Sequence, residues 1–127
     1  MPRPFSRPLS ALATLALACG FNAAVAQERS SFFKNRTFSY IISAGAGGGY
    51  DLYGRLVAEF MQRQLQGSTF VVKNMAGAGH LIGANALYAS PADGYTLGSF
   101  STGLIYNQIS KNASVRFDLT KMSWIGK

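Results

Sequence analysis

Apolar and polar positions along the chain switch between two periods, and each switch marks an element. Thr37-Phe38-Ser39-Tyr40-Ile41-Ile42-Ser43 is rich in β-branched and aromatic residues, as in a buried strand. Past Asp51 the period lengthens. Leu52, Leu56 and Phe60 recur at spacing four, and Tyr53, Val57, Met61 and Leu65 repeat that spacing one position over. The two rows predict one apolar stripe on a helix, with Arg55, Glu59, Gln62, Arg63 and Gln66 on the other face. Asp51 suits the N-cap of this helix and Gly67 its C′ stop.

The unit then repeats. Thr69 to Lys73 reads as a second strand, Asn74 to Gly79 as a glycine-rich loop, and His80 to Ser90 as a weaker helix bearing Leu81, Ala84, Leu87 and Tyr88 on one side. Pro91 stops it, and Ser90-Pro91-Ala92-Asp93-Gly94 is strong turn chemistry. Tyr95 to Phe100 reads as a third strand, Ser101-Thr102-Gly103 as a loop, and Leu104 to Ser110 as a helix. Alternation of this kind predicts an α/β fold: a parallel sheet with flanking helices and right-handed crossovers. The loops that leave the carboxyl ends of parallel strands share one edge, where ligands bind. All three loops rich in Gly, Ser or Thr fall on that edge, and a strand order of 2-1-3 would centre the first.

Gly47-Gly48-Gly49 removes side chains where backbone N–H groups meet a ligand, and a helix start lies directly behind. That combination suits a carboxylate or a phosphate. The plainer reading of the same loop is a tight strand-to-helix turn that needs glycine for its dihedrals. A dinucleotide site fails on detail. G-x-G-x-x-G counted from Gly45 meets Tyr50, and counted from Gly47 meets Leu52. Lys73 and Asn74 stand where a ribose-binding acid would end the second strand. No Gly-Lys-Ser/Thr follows the glycines, which removes a P-loop.

Catalytic and cofactor chemistry find no support. His80 is the single histidine and reads as a loop or capping residue. Asp51 reads as a cap and Asp93 as part of a turn, and the five acids form no pair. Ser101 and Thr102 lack a base and read as hydrogen-bond donors to a ligand. Phe117 and Trp124 read as core. One cysteine and one histidine leave nothing for a metal cage or a disulfide framework.

Charge and the first residues change where the chain is expected to work. Arg3 and Arg7, the apolar stretch Leu9 to Phe21, and Ala24-Val25-Ala26 form the pattern of a cleavable secretory signal peptide over residues 1–26. The stretch is too short to remain as a span. Removal would take away Cys19 and two of the charges that make up the net +7. Ala16-Leu17-Ala18 is a poor lipoprotein site, so anchoring at Cys19 is not expected. A secreted domain without cysteine suits a bacterial periplasm. The remaining Lys and Arg are dispersed, unlike the concentrated footprint of a nucleic-acid binder, and exert only a mild pull on anions.

Three motifs then carry a resemblance over about residues 38–127. They are Gly47-Gly48-Gly49-Tyr50-Asp51-Leu52-Tyr53-Gly54-Arg55-Leu56, Val71-Val72-Lys73-Asn74-Met75-Ala76-Gly77-Ala78-Gly79, and Ala92-Asp93-Gly94-Tyr95-Thr96-Leu97-Gly98. In that order and spacing the chain resembles the substrate-binding proteins of tripartite tricarboxylate transporters, the Bug family of periplasmic receptors. The resemblance implies a periplasmic-binding-protein-like (type II) two-lobed fold that closes on a small organic anion: a di- or tricarboxylate, an acidic amino acid or an aromatic acid. It implies ligand contacts from Gly47, Gly48, Gly49 and Asp51, from Gly77, Ala78 and Gly79, and from Ser101 and Thr102. It implies membrane permease subunits as partners, no cofactor, no metal and no catalysis.

Ser43 and Ala46 stand where the family often has proline, and Tyr50 and His80 also depart from its pattern. Against the family's length, residues 27–127 read as a first lobe without the second. Such a lobe carries half a cleft and is expected to bind weakly. Two other readings stay open: a small α/β enzyme for a phosphorylated or nucleotide substrate at the same glycine edge, and a ligand sensor without a transport role.

Overall fold

Strand β1 (Thr37–Ile42) lies between β2 (Thr69–Asn74) and β3 (Thr96–Ser99) in a three-stranded parallel sheet. The computed structural model describes residues 32–126, and the leader read over residues 1–26, with Cys19, lies outside them. Register runs Thr37 opposite Thr69 through Ile42 opposite Asn74, and Ser39 opposite Thr96 through Ile42 opposite Ser99. The order β2-β1-β3 is the one that centres the first loop. From β1 the chain moves to one side to form β2, then crosses back to the other side for β3. Crossovers of one hand then require helices on opposite faces. Helix α1 (Gly49–Gln64) accordingly packs on β1 and β2, and α2 (Leu81–Tyr88) on β3 and β1.

Alternation along the central strand divides the core. Tyr40 and Ile42 join Ala58 of α1, with Phe70, Val72 and Leu97 around them. Phe38, a register partner of Phe70, stacks on it at 4.7 Å. On the opposite face Leu81 and Ala84 meet Leu104, Phe117 and Leu119, contributed by α2, by the short helix α3 (Leu104–Ile109) and by the segment after it. Asp118 caps the 3-10 turn Leu119–Lys121, accepting from Thr120 N–H. Asp93 builds the turn before β3 by accepting from Tyr95 N–H at 2.9 Å.

Three sequence expectations are corrected. The apolar stripe of α1 is not its buried face: Leu52 and Tyr53 are 68% and 70% exposed, and Leu56, Val57 and Phe60 are also exposed. The packed residues are Asp51, Gly54 and Ala58. They are small where α1 approaches the sheet most closely, and a Cβ on Gly54 would stand 2.6 Å from Ile42 Cδ1. Asp51 is also not the N-cap, because the helix starts at Gly49 with Gly48 as cap; Gly67 does turn left-handed (φ +83°), but two residues beyond the C-cap Leu65. Trp124 is 59% exposed rather than core, with its ring edge against Phe100 and Nε1–H donating to Leu119 O. Phe117 is buried as expected.

Candidate functional site

The carboxyl edge of the sheet is built from strand ends that are tied sideways. Met75 N–H donates to Ile42 O at 2.8 Å and Ser43 N–H to Ser99 O at 3.1 Å, so the chain leaves all three strands at one level. Beyond β1, Gly47 takes φ +85° and Gly48 is extended, and α1 begins. No side chain caps α1, and its first helical bond runs from Leu52 N–H to Gly48 O. The first-turn amides of Gly49, Tyr50 and Asp51 therefore have no acceptor within the helix. A Cβ on Gly45, Gly47 or Gly49 would meet nothing within 4 Å, so the loop that precedes these amides borders open space. Donors without acceptors at a helix start favour an anion.

Asp51 sits beneath this loop as its clamp. Its side chain is 8% exposed, and both oxygens are engaged. Oδ2 accepts from Gly47 N–H at 2.9 Å; Oδ1 accepts from Arg55 Nε–H at 2.9 Å and from Asn74 Nδ2–H at 2.8 Å. The Gly47 amide first, then Asn74 and Arg55, hold the Asp51 carboxyl down from its ordinary 3.8 to about 2. Asn74 closes the knot: its amide also donates to Ala44 O at 3.1 Å, and its Oδ1 accepts from Arg55 at 2.9 Å. Loop one is thereby tied to the end of β2. Sequence reading placed Asn74 at the start of the second loop and in its motif but gave it no partner, and placed Arg55 on the free face of the helix.

The second loop is wound the other way. Gly77, Ala78, Gly79 and His80 all have positive φ, at 130°, 47°, 61° and 76°. For Ala78 and His80 this conformation is uncommon and strained by roughly 1–2 kcal/mol each. Strain of this kind collects at ligand sites. Gly77, Ala78 and Gly79 are exposed. His80 is half-buried and reaches back to loop one, with its ring 4.9 Å from the Tyr50 ring at 65° and Nδ1 3.1 Å from Ser43 Oγ. The third loop is less engaged. Ser101 Oγ accepts from Gly103 N–H at 3.2 Å and keeps its hydroxyl hydrogen to donate, while Thr102 is exposed. Among the described residues no hydrogen bond joins Ser101 or Thr102 to the first two loops.

The structure thus brings Gly47, Gly48, Gly49 and Asp51 into one knot, sets Gly77, Ala78 and Gly79 beside it through Asn74 and His80, and leaves Ser101 and Thr102 one strand away. Ser99 Oγ, at the end of β3, is a buried hydroxyl with no hydrogen-bond partner among the described residues. Two open hollows lie among the described residues, one beside α3 and Trp124, the other against loop two, between Ala78, α2 and Arg116. The glycine edge is an open shelf rather than a closed pocket. Among the described residues no cluster of three His, Cys, Asp or Glu could hold a metal, and no helix is long and apolar enough to cross a membrane.

No family model matches the chain. Sequence comparison does find relatives. A UPF0065 protein from the tcbD-tcbE intergenic region of Pseudomonas sp. strain P51 is 33% identical over 97 residues, covering 76% of this chain and 28% of that protein. Protein BugT of Bordetella pertussis is 35% identical over 92 residues, covering 72% of this chain and 27% of its own length. Among solved structures, the periplasmic binding protein BugD superposes with a TM-score of 0.48 at 35% identity, over 52% of this chain and 22% of that one. The chain spans about a quarter of the length of the curated relatives it matches, and its homologues by sequence are Bug, or UPF0065, proteins.

Proposed function

We propose that the chain is the ligand-gripping part of a solute-binding receptor that captures a small organic anion in the periplasm and delivers it to membrane permease subunits of a tripartite tricarboxylate transporter. The observation that carries this reading is the set of acceptor-less amides at Gly49, Tyr50 and Asp51, backed by Gly47 and Gly48 and clamped by Asp51. A carboxylate would lie across those amides, with Gly77, Ala78 and Gly79 on one side and the hydroxyls of Ser101 and Thr102 on the other. Asp51 would act from behind, by holding Gly47, since its own oxygens are occupied. The leader pattern over residues 1–26 supports export.

An open shelf suits one lobe of a fold that closes over its ligand, and a shelf alone would bind weakly because water is not excluded. Titration calorimetry with succinate, citrate, glutamate and benzoate tests the reading. At least one of these anions should bind and be recovered chemically unchanged. Binding of none, or conversion of one to product, would contradict it.

A further inference from the structure

The proton count around Ser43 determines what His80 offers to the space above the sheet. Ser43 Oγ lies 2.8 Å from the carbonyl oxygen of Ser99. A carbonyl has no hydrogen to give, so the single hydroxyl hydrogen of Ser43 occupies that contact. Ser43 Oγ can then only accept from the other neighbour, Nδ1 of His80, at 3.1 Å. Nδ1 must carry a hydrogen, and in the neutral imidazole Nε2 is left as a bare lone pair. Ser43 is 2% exposed, so solvent does not relieve this constraint.

The two ring nitrogens look in widely divergent directions. With Nδ1 turned down to the end of β1, Nε2 turns away from it. Tyr50 joins this acceptor to the amides of loop one: its backbone follows Gly49, and its ring meets the His80 ring edge to face at 4.9 Å. Among the described residues Nε2 has no hydrogen-bond partner. The side chains recorded against the imidazole are Tyr50 from α1 and Ser43 from β1, and neither is charged. The nearby charges, Asp51 and Arg55, are bound to each other.

We infer that His80 is a specificity-determining residue, locked as the Nδ1–H tautomer, whose Nε2 accepts a hydrogen bond from the ligand. The inference rests on the receptor reading and deepens it. The loop-one amides are donors only and take a carboxylate; Nε2 is an acceptor and takes a hydroxyl or ammonium hydrogen. The favoured ligand is an acid anion with a hydrogen-bond donor beside its carboxylate. A plain dicarboxylate would set oxygen lone pairs against the Nε2 lone pair.

The experiment combines long-range proton–nitrogen correlation spectra with titrations of malate and succinate, which differ by one hydroxyl. It is run at about pH 8, where free imidazole is neutral. The chain holds one histidine, so the ring signals need no assignment. The expected result is the Nδ1–H tautomer, with malate bound roughly five- to tenfold more tightly than succinate. Ser43→Ala releases Nδ1, so the ring should revert to Nε2–H and the preference should fall toward unity. His80→Asn, which tolerates the left-handed backbone, should abolish the preference, with malate weakened and succinate tightened as the opposing lone pair is removed. An Nε2–H tautomer with anion binding intact would overturn this inference alone, as would equal affinity for malate and succinate. Failure of malate and succinate to bind, with Nδ1–H in place, would overturn this ligand class; failure of citrate, glutamate and benzoate as well would contradict the receptor reading.

Discussion

Asn74 Nδ2 donates to Asp51 Oδ1 at 2.8 Å across 23 residues of chain, which joins the end of β2 to the first turn of α1. Both residues also hold loop backbone: Asp51 takes Gly47 N–H, and Asn74 gives to Ala44 O. Two side chains beneath the glycines therefore hold the loop open, and the amides above need no side chain of their own to be aimed.

Acid should undo this knot. The Gly47 amide, Asn74 and Arg55 depress the Asp51 carboxyl from 3.8 to about 2. A lowered folded value means the stabilisation is full above about pH 4 and is lost as pH falls toward 2. Asp118 is lowered as well, mainly by the Thr120 hydroxyl and then its amide, and acts in the same direction. The thermal midpoint, followed by circular dichroism, should fall across this window. Asp51→Asn should start lower and lose less over the same range.

Glycines under the helices should rank by what they face. A Cβ at Gly54 meets the end of the Ile42 side chain at 2.6 Å and Tyr40 Cε1 at 3.3 Å. At Gly83 it meets Ser43 Cβ at 2.6 Å, Ser43 Cα at 2.8 Å and Met75 O at 3.1 Å. Side-chain ends can shift, whereas the central strand cannot. Gly54→Ala should cost about 1–3 kcal/mol in denaturant unfolding, and Gly83→Ala should cost more than Gly54→Ala.

Ala78 tests the strain in loop two. At φ +47° an alanine is held where glycine is at ease. Ala78→Gly should leave stability unchanged or raise it by up to about 1 kcal/mol, after the entropy of the freer unfolded chain is subtracted. Ala78→Val, β-branched at the same dihedral, should lower the unfolding midpoint clearly.

These residues also show what the sequence could and could not reveal. The strands were legible because Phe38, Tyr40, Ile41 and Ile42 leave little choice but a buried strand, and the loops were legible because Gly, Ser or Thr gather after each run. The face of α1 was misread because periodicity finds large apolar residues, while close contact with the sheet selects small ones, Gly54 and Ala58. Asp51 passed for a cap because Gly49 and Tyr50 are weak helix starters by composition, yet they open the helix. The left-handed run passes through Ala78, which carries no local signal because alanine does not favour positive φ. The partnership of Asp51 with Asn74 depends on the β1–β2 register, which spacing alone does not specify.

The central claim, that the amides over Asp51 grip a carboxylate, is tested most directly by amide chemical shifts during an anion titration. Gly49→Ala is the informative control, because its Cβ meets nothing within 4 Å and the new side chain intrudes only on the shelf. The account predicts that citrate or malate, at constant ionic strength set by chloride, shifts the amides of Gly49, Tyr50 and Asp51 first, together with those of Gly77 and Gly79. It predicts that Gly49→Ala weakens those shifts without lowering the thermal midpoint. Shifts scattered over the dispersed lysines and arginines, or a Gly49→Ala protein that binds as well as the parent, would contradict it.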